Sequence, residues 1–106
     1  MSLYGGWKTA TITIAADDDL SAAVDLGSSF DFLNIVIPTI DSAEVSVHVC
    51  TTSDGTYQAL GDSVATEATT GGYSTTFKLG GWQHIKIATS ASQSANRSFS
   101  VRGWRF

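Results

Sequence analysis

Apolar and polar residues alternate with a period of two along almost the whole chain, in short runs rich in Val, Ile and Thr that Gly, Asp and Ser interrupt. That period places successive side chains on opposite faces of an extended backbone, so the pattern predicts strands from end to end and no helix. The first strand is expected over residues 7–15, with Ala10, Ile12 and Ile14 on one face and Thr9, Thr11 and Thr13 on the other. The acidic run Asp17, Asp18, Asp19 then ends it as an exposed turn. A short strand is expected at 23–26, and Gly27, Ser28 and Ser29 lead from it towards FLNIVIP at 32–38. This run is almost continuously apolar, which predicts a central strand covered on both sides or closing the fold. Pro38, the single proline, cannot donate a ladder hydrogen bond and marks the exit of that strand.

Residues 43–51 alternate cleanly, with Val45, Val47 and Val49 directed inward and Ser46, His48 and Cys50 on the other face. Asp54-Gly55 then predicts a hairpin in which Gly supplies a positive φ, returning through a strand at 57–60. The polar stretch 61–72 shows no strand pattern and is expected to be a surface loop. Strands at 73–79, 83–89 and 99–105 complete the series, with Ile85, Ile87, Phe99 and Val101 as inward rows. Seven or eight short strands without helix or internal repeat predict an all-β fold, a single-domain antiparallel β-sandwich of jelly-roll-like type over residues 1–106. Residues 1–6 precede it as an amino-terminal arm.

Composition narrows the function classes. A chain of 106 residues with 42% hydrophobic and 15% charged residues can bury one core and is not disordered. Cys50 is the only cysteine, so no intrachain disulfide can staple the fold. A net charge of -4 argues against a nucleic-acid partner, whose phosphates demand cations. No stretch approaches the length of a membrane-spanning helix, and MSLYGGWKTATITI lacks the charged start and apolar run of a secretory signal. The expectation is a protein made in a cytoplasm, with no membrane partner.

The charge is unevenly divided. Residues 1–67 carry ten acids and one base, whereas residues 68–106 carry five bases and no acid. Either strands from the two parts interleave and pair their charges, or the molecule is dipolar and its basic side meets an acidic neighbour.

The residues that might carry chemistry form no recognisable site. His48, Cys50 and His84 lack the paired spacing of a structural zinc site, and Cys50 has no base beside it. The Asp17 to Asp19 run lacks the alternating donors around a glycine that calcium loops use, and no two acids are spaced as a hydrolytic pair. No catalytic residue, cofactor or metal ligand is assigned, and an enzyme is not expected. The aromatics Tyr4, Trp7, Tyr57, Tyr73, Trp82 and Trp104 either plug the ends of the core or offer rings for sugar stacking. Tyr4 and Trp7, set among glycines, are the best candidates for packing against another subunit. With them go His84, Lys86, Arg102, Trp104 and Arg105, the outward residues of an acid-free carboxy-terminal block that reads as the basic side of a subunit.

The order of segments carries a resemblance. A strand ending VDLG is followed by FLNIVIPTIDSAEVSVHVCTTSDGTYQAL, then GGWQHIKIATS, a Ser/Ala/Gln/Asn loop and NRSFSVRGW. Over roughly residues 24–104 this resembles small β-sandwich proteins encoded in the structural gene clusters of tailed bacteriophages. The resemblance implies a virion location and a structural role without activity, either as a capsid decoration (cement) protein or as a tail-associated one. The implied partners are copies of the chain itself, with a homotrimer favoured, and the major capsid protein or another virion protein. A tail-tip or carbohydrate-binding module, with a glycan as partner, is the second expectation.

Overall fold

The computed structural model describes the backbone of residues 3–105 and the side chains of residues 4–61 and 69–105. No helix occurs among the described residues, and the strands number nine rather than seven or eight. In chain order they are β1 Leu3–Tyr4, β2 Lys8–Ile12, β3 Val24–Asp25, β4 Phe32–Ile37, β5 Ala43–Cys50, β6 Gln58–Thr69, β7 Tyr73–Lys78, β8 His84–Thr89 and β9 Arg97–Arg105. The strand added to the eight is β1, whose two residues are too few to show a period and which draws part of the expected amino-terminal arm into a sheet.

All pairings are antiparallel and fall into two sheets. The five-stranded sheet runs β1-β9-β4-β7, with β2 also paired to β9, and the four-stranded sheet runs β3-β8-β5-β6. Their inward rows meet in one buried cluster, to which Ile12, Leu33, Ile35, Phe99 and Val101 come from the first sheet and Val45, Val47, Ile85 and Ile87 from the second. Alternation produces this directly, since every second residue of β4 from Leu33, of β5 from Val45 and of β9 from Phe99 to Gly103 is buried. The consecutive strands β8 and β9 belong to different sheets, each with partners on both sides.

The link between β8 and β9 is tied by a polar knot. Gln93 is buried, and its Oε1 accepts from Asp41 N at 2.7 Å and from Arg97 Nε at 3.2 Å. Asp41 accepts from Ser94 N at 2.6 Å and from Arg97 Nη2 at 3.2 Å, so the buried amide and the guanidinium share satisfied partners. The Ser94 hydrogen bonds, then the Arg97 charge, hold the Asp41 carboxyl below its ordinary value of 3.8. A carboxyl depressed in the folded state stabilises above its unfolded pKa, and that contribution fades as pH falls through the folded value. Asp41→Asn is therefore expected to flatten the decline of melting temperature below about pH 4. Parallel melting curves of variant and parent would refute this.

Four sequence expectations are corrected. The surface loop expected at 61–72 is largely the second half of β6, the longest strand. Its ladder with β5 slips twice, from Ala43↔Thr69 to Val45↔Ala65 and from Ser46↔Val64 to His48↔Ala59, so the strand carries extra residues as bulges. An edge strand with bulges has neither the burial nor the strict register that writes a period into a sequence. The first strand stops at Ile12, where Thr13 O accepts from Ala16 N and Asp17 N in a turn that leaves Ile14 exposed. Strand β4 is central but covered on one face only, with Val36 exposed. Gly55 does not take a positive φ, and a Cβ there would instead lie 2.5 Å from Cys50 Sγ and 2.7 Å from Thr52 Oγ1.

Candidate interaction surface

The two sheets divide the charge between them. No strand of the five-stranded sheet contains an acid, and together they hold Lys8, Lys78, Arg97, Arg102 and Arg105. The strands of the four-stranded sheet hold Asp25, Glu44, Asp62 and Glu67 with Lys86 as their one Lys or Arg. Charges are segregated sheet by sheet rather than interleaved, and among the described residues the one ion pair is Arg97 with Asp41.

Aromatic residues gather on the outer face of the acid-free sheet because the register sets them opposite one another. Trp104 of β9 faces Tyr4 of β1 and Phe32 of β4. Its ring stacks on Phe32 with centroids 4.5 Å apart and on Tyr4 at 5.8 Å. Its Nε1 donates to Asn34 Oδ1 at 2.9 Å, and Thr76 Oγ1 donates to the same oxygen at 3.1 Å. Asn34 lies opposite Arg102, whose guanidinium is 4.9 Å from the Tyr4 ring and 4.7 Å from the Trp7 ring. Stacked aromatic pairs and cation–π contacts each add order-of-magnitude stabilisation of about 0.5–1.5 kcal/mol and fix the rings in place.

The backbone between Tyr4 and Trp7 is held close to β9, with Gly5 N donating to Gly103 O at 2.8 Å. Gly103 is required there, since a Cβ would overlap the ring of buried Phe30. Of the four exposed large hydrophobic residues among the described ones, Tyr4, Trp7 and Val36 all lie on or beside this face; Ile14 is the fourth. A shallow hollow of about 360 Å³ opens between Trp7, Asn34, Val36, Ser74, Thr76 and Arg102.

Four of the seven residues nominated from sequence, Tyr4, Trp7, Arg102 and Trp104, therefore come together. His84 and Lys86 do not join them, because β8 lies in the other sheet, where Lys86 Nζ sits 4.8 Å from the Tyr57 ring and His84 pairs across from Cys50 and Asp25. Arg105 ends β9, half-buried and paired with Leu3. Trp82 is half-buried against the core. Asn34 and Phe32 escaped the sequence reading; the visible signal was an asparagine amid the apolar run of β4.

No metal-binding arrangement of His48, Cys50 and His84 forms among the described residues. Only Asp17, Asp18 and Asp19 bring three possible ligand atoms within 4.8 Å of one another, all exposed. The Asp19 carboxyl is raised above its ordinary value, first by its hydrogen bond with Asp17 and then by burial and the charges of Asp17 and Asp18. Cys50 is buried, and its thiol is lowered chiefly by the Thr52 backbone hydrogen bond.

No protein-family profile matches the chain, and no curated protein matches it. Two solved structures share its fold, and a third aligns more loosely. The SPBc2 prophage-derived protein YomS aligns with a TM-score of 0.55 at 13% identity, over 92% of this chain and 94% of that one. The family 32 CBM from C. perfringens NanJ, solved in complex with galactose, aligns with a TM-score of 0.52 at 10% identity, over 96% and 92% of the two chains. A chain of the cyanophage Pam1 capsid asymmetric unit aligns with a TM-score of 0.49 at 15% identity, over 98% and 81%. At such identities the likeness is one of fold.

Proposed function

We propose that the chain is a non-enzymatic structural protein of a bacteriophage particle, an auxiliary capsid (decoration or cement) protein that binds and stabilises the capsid lattice. Its two sheets are read as a jelly-roll-like sandwich that presents the outer face of the five-stranded sheet to another protein subunit. The observation that carries this reading is the cluster of exposed Tyr4, Trp7 and Val36 around Arg102 on an acid-free sheet. Aromatic residues and arginine dominate the buried centres of protein interfaces, and rings already locked by stacking lose little entropy on binding. The fold shared with a prophage-derived protein supports the phage setting.

The hollow favours a second reading as a carbohydrate-binding adhesion module, since Trp7, Asn34, Arg102 and two hydroxyl side chains line it and a neighbour of like fold was solved with galactose. The face offers sugar stacking little room, however, because Phe32 and Tyr4 already stack on Trp104.

Mass spectrometry of purified particles from the encoding phage or induced prophage tests the first reading. The chain is expected among the particle proteins, and Trp7→Ala with Arg102→Ala is expected to reduce its copies at least about tenfold. Absence of the chain from intact particles would overturn the reading, and specific retention on a glycan array would put the second in its place.

A further inference from the structure

We infer that the occupant of the acid-free face is a second copy of the chain, whose Asp17 to Asp19 turn seats against Arg102 in a head-to-tail contact. The inference deepens the adhesive reading of that face but does not require the particle.

Arg102 has the setting of an anion receptor. Its guanidinium lies between the rings of Tyr4 and Trp7, and its Nε is buried with no hydrogen-bond partner among the described residues. Arg97, on the same strand, already has Asp41. A guanidinium held in one orientation suits a carboxylate, which its outer Nη groups can engage end-on through two parallel hydrogen bonds while Nε stays buried. The neighbouring strands supply none, since every one of them is free of Asp and Glu. Exposed Trp7, Tyr4 and Val36 beside it add apolar area that a water-solvated anion would leave unused.

The chain itself carries the complement. Asp17, Asp18 and Asp19 are exposed, crowd their carboxylates within 4.8 Å, and meet no cation in an ion pair among the described residues. The two features cannot meet within one molecule. The acidic turn is bonded to the end of the fold where β9 begins, with Gln93 N donating to Asp18 O at 2.7 Å and Thr89 N to Asp19 O at 2.9 Å. Arg102 lies five residues further along β9 than Arg97, about 17 Å away at the rise of a strand. Complementary patches at separate places on a molecule 40 Å long make a heterologous contact, which closes as a ring when the rotation permits, a trimer being the simplest case.

Light-scattering mass of the purified chain at about 50 mM and about 500 mM salt tests this, because screening weakens exposed charge pairs. An oligomer at low salt is expected, with a dissociation constant at least about tenfold higher at high salt. Arg102→Glu and the triple change Asp17→Lys, Asp18→Lys, Asp19→Lys should each yield a monomer that keeps the parent's circular dichroism, with Arg102→Glu melting somewhat lower for want of its contacts with Tyr4 and Trp7. The chain combining both sets of changes should regain the oligomer. A parent monomeric at both salts, an oligomer indifferent to Arg102→Glu, or a combined variant no better than the single ones would overturn the inference. A parent chain that is monomeric at both salts yet is found in purified particles would overturn the inference while leaving the adhesive reading intact.

Discussion

Truncating Phe99 to alanine is expected to lower the unfolding free energy by about 3–5 kcal/mol, the range for deleting a large buried aromatic. Phe99 heads the fully buried side chains by volume. It sits on β9, between β2 and β4, and its partner across the ladder is Ala10, itself fully buried. A residue as small as Ala10 makes room for the ring but has no side chain to move into the space it would leave. Domains of this size are stable by only about 5–15 kcal/mol, so the variant should melt at least about 12 °C below the parent. Tyr4→Ala is the matched control, a ring of similar size that is 56% exposed and expected to cost about 1–2 kcal/mol, the loss of its stack on Trp104 and its contact with Arg102. Equal losses in urea titrations of the two variants would contradict the assignment of β9 to the centre of the core.

The same strand shows how far the sequence could be read. Alternation marked Phe99 and Val101 as inward and Arg102 as outward, because a period of two fixes which face of its own sheet a residue occupies. It carries no information about which sheet that is. The carboxy-terminal block therefore read as one basic side, whereas β8 and β9 part into different sheets and take Lys86 and Arg102 to different surfaces. Long-range pairing decides this, and the residues responsible lie far apart in the chain, as Arg102 opposite Asn34 illustrates. Tyr4 and Trp7 were legible because large rings among glycines have little nearby chain to bury them. Strand β6 was not, since a bulged edge strand with one ladder partner needs no apolar period.

Charge follows the same logic. The division between the first 67 residues and the rest was plain in the sequence, but its meaning depended on topology. Threonine- and serine-rich strands β2 and β7 come from opposite halves of the chain, yet both join β9 and β4 in a sheet without acids. The result is a face where an added acid would be conspicuous and where Arg102 stands with two aromatic rings for neighbours.

Gly71→Ala is expected to destabilise the fold by about 2–5 kcal/mol, through two costs that a single methyl group incurs together. Gly71 has a φ of 85°, a region in which an L side chain is strained. Its Cβ would also collide with the carbonyl group of Pro38, which is backbone and cannot rotate aside. The site is a junction between sheets, since the turn joins β6 of one to β7 of the other. It is bonded to the exit of β4 by Gly72 N to Ile37 O at 3.1 Å and Ile40 N to Thr70 O at 3.1 Å. Relieving the collision would therefore stretch these bonds and shift the start of β7, whose Ser74 and Thr76 line the hollow beside Trp7. Gly80→Ala separates the two costs, because Gly80 has a φ of 71° but nothing within 4 Å of its would-be Cβ. That variant should lose only about 1–2 kcal/mol. Urea titrations giving the same midpoint for both would show that the Pro38 carbonyl yields freely, and the turn would then not be the clasp between the sheets that its hydrogen bonds describe.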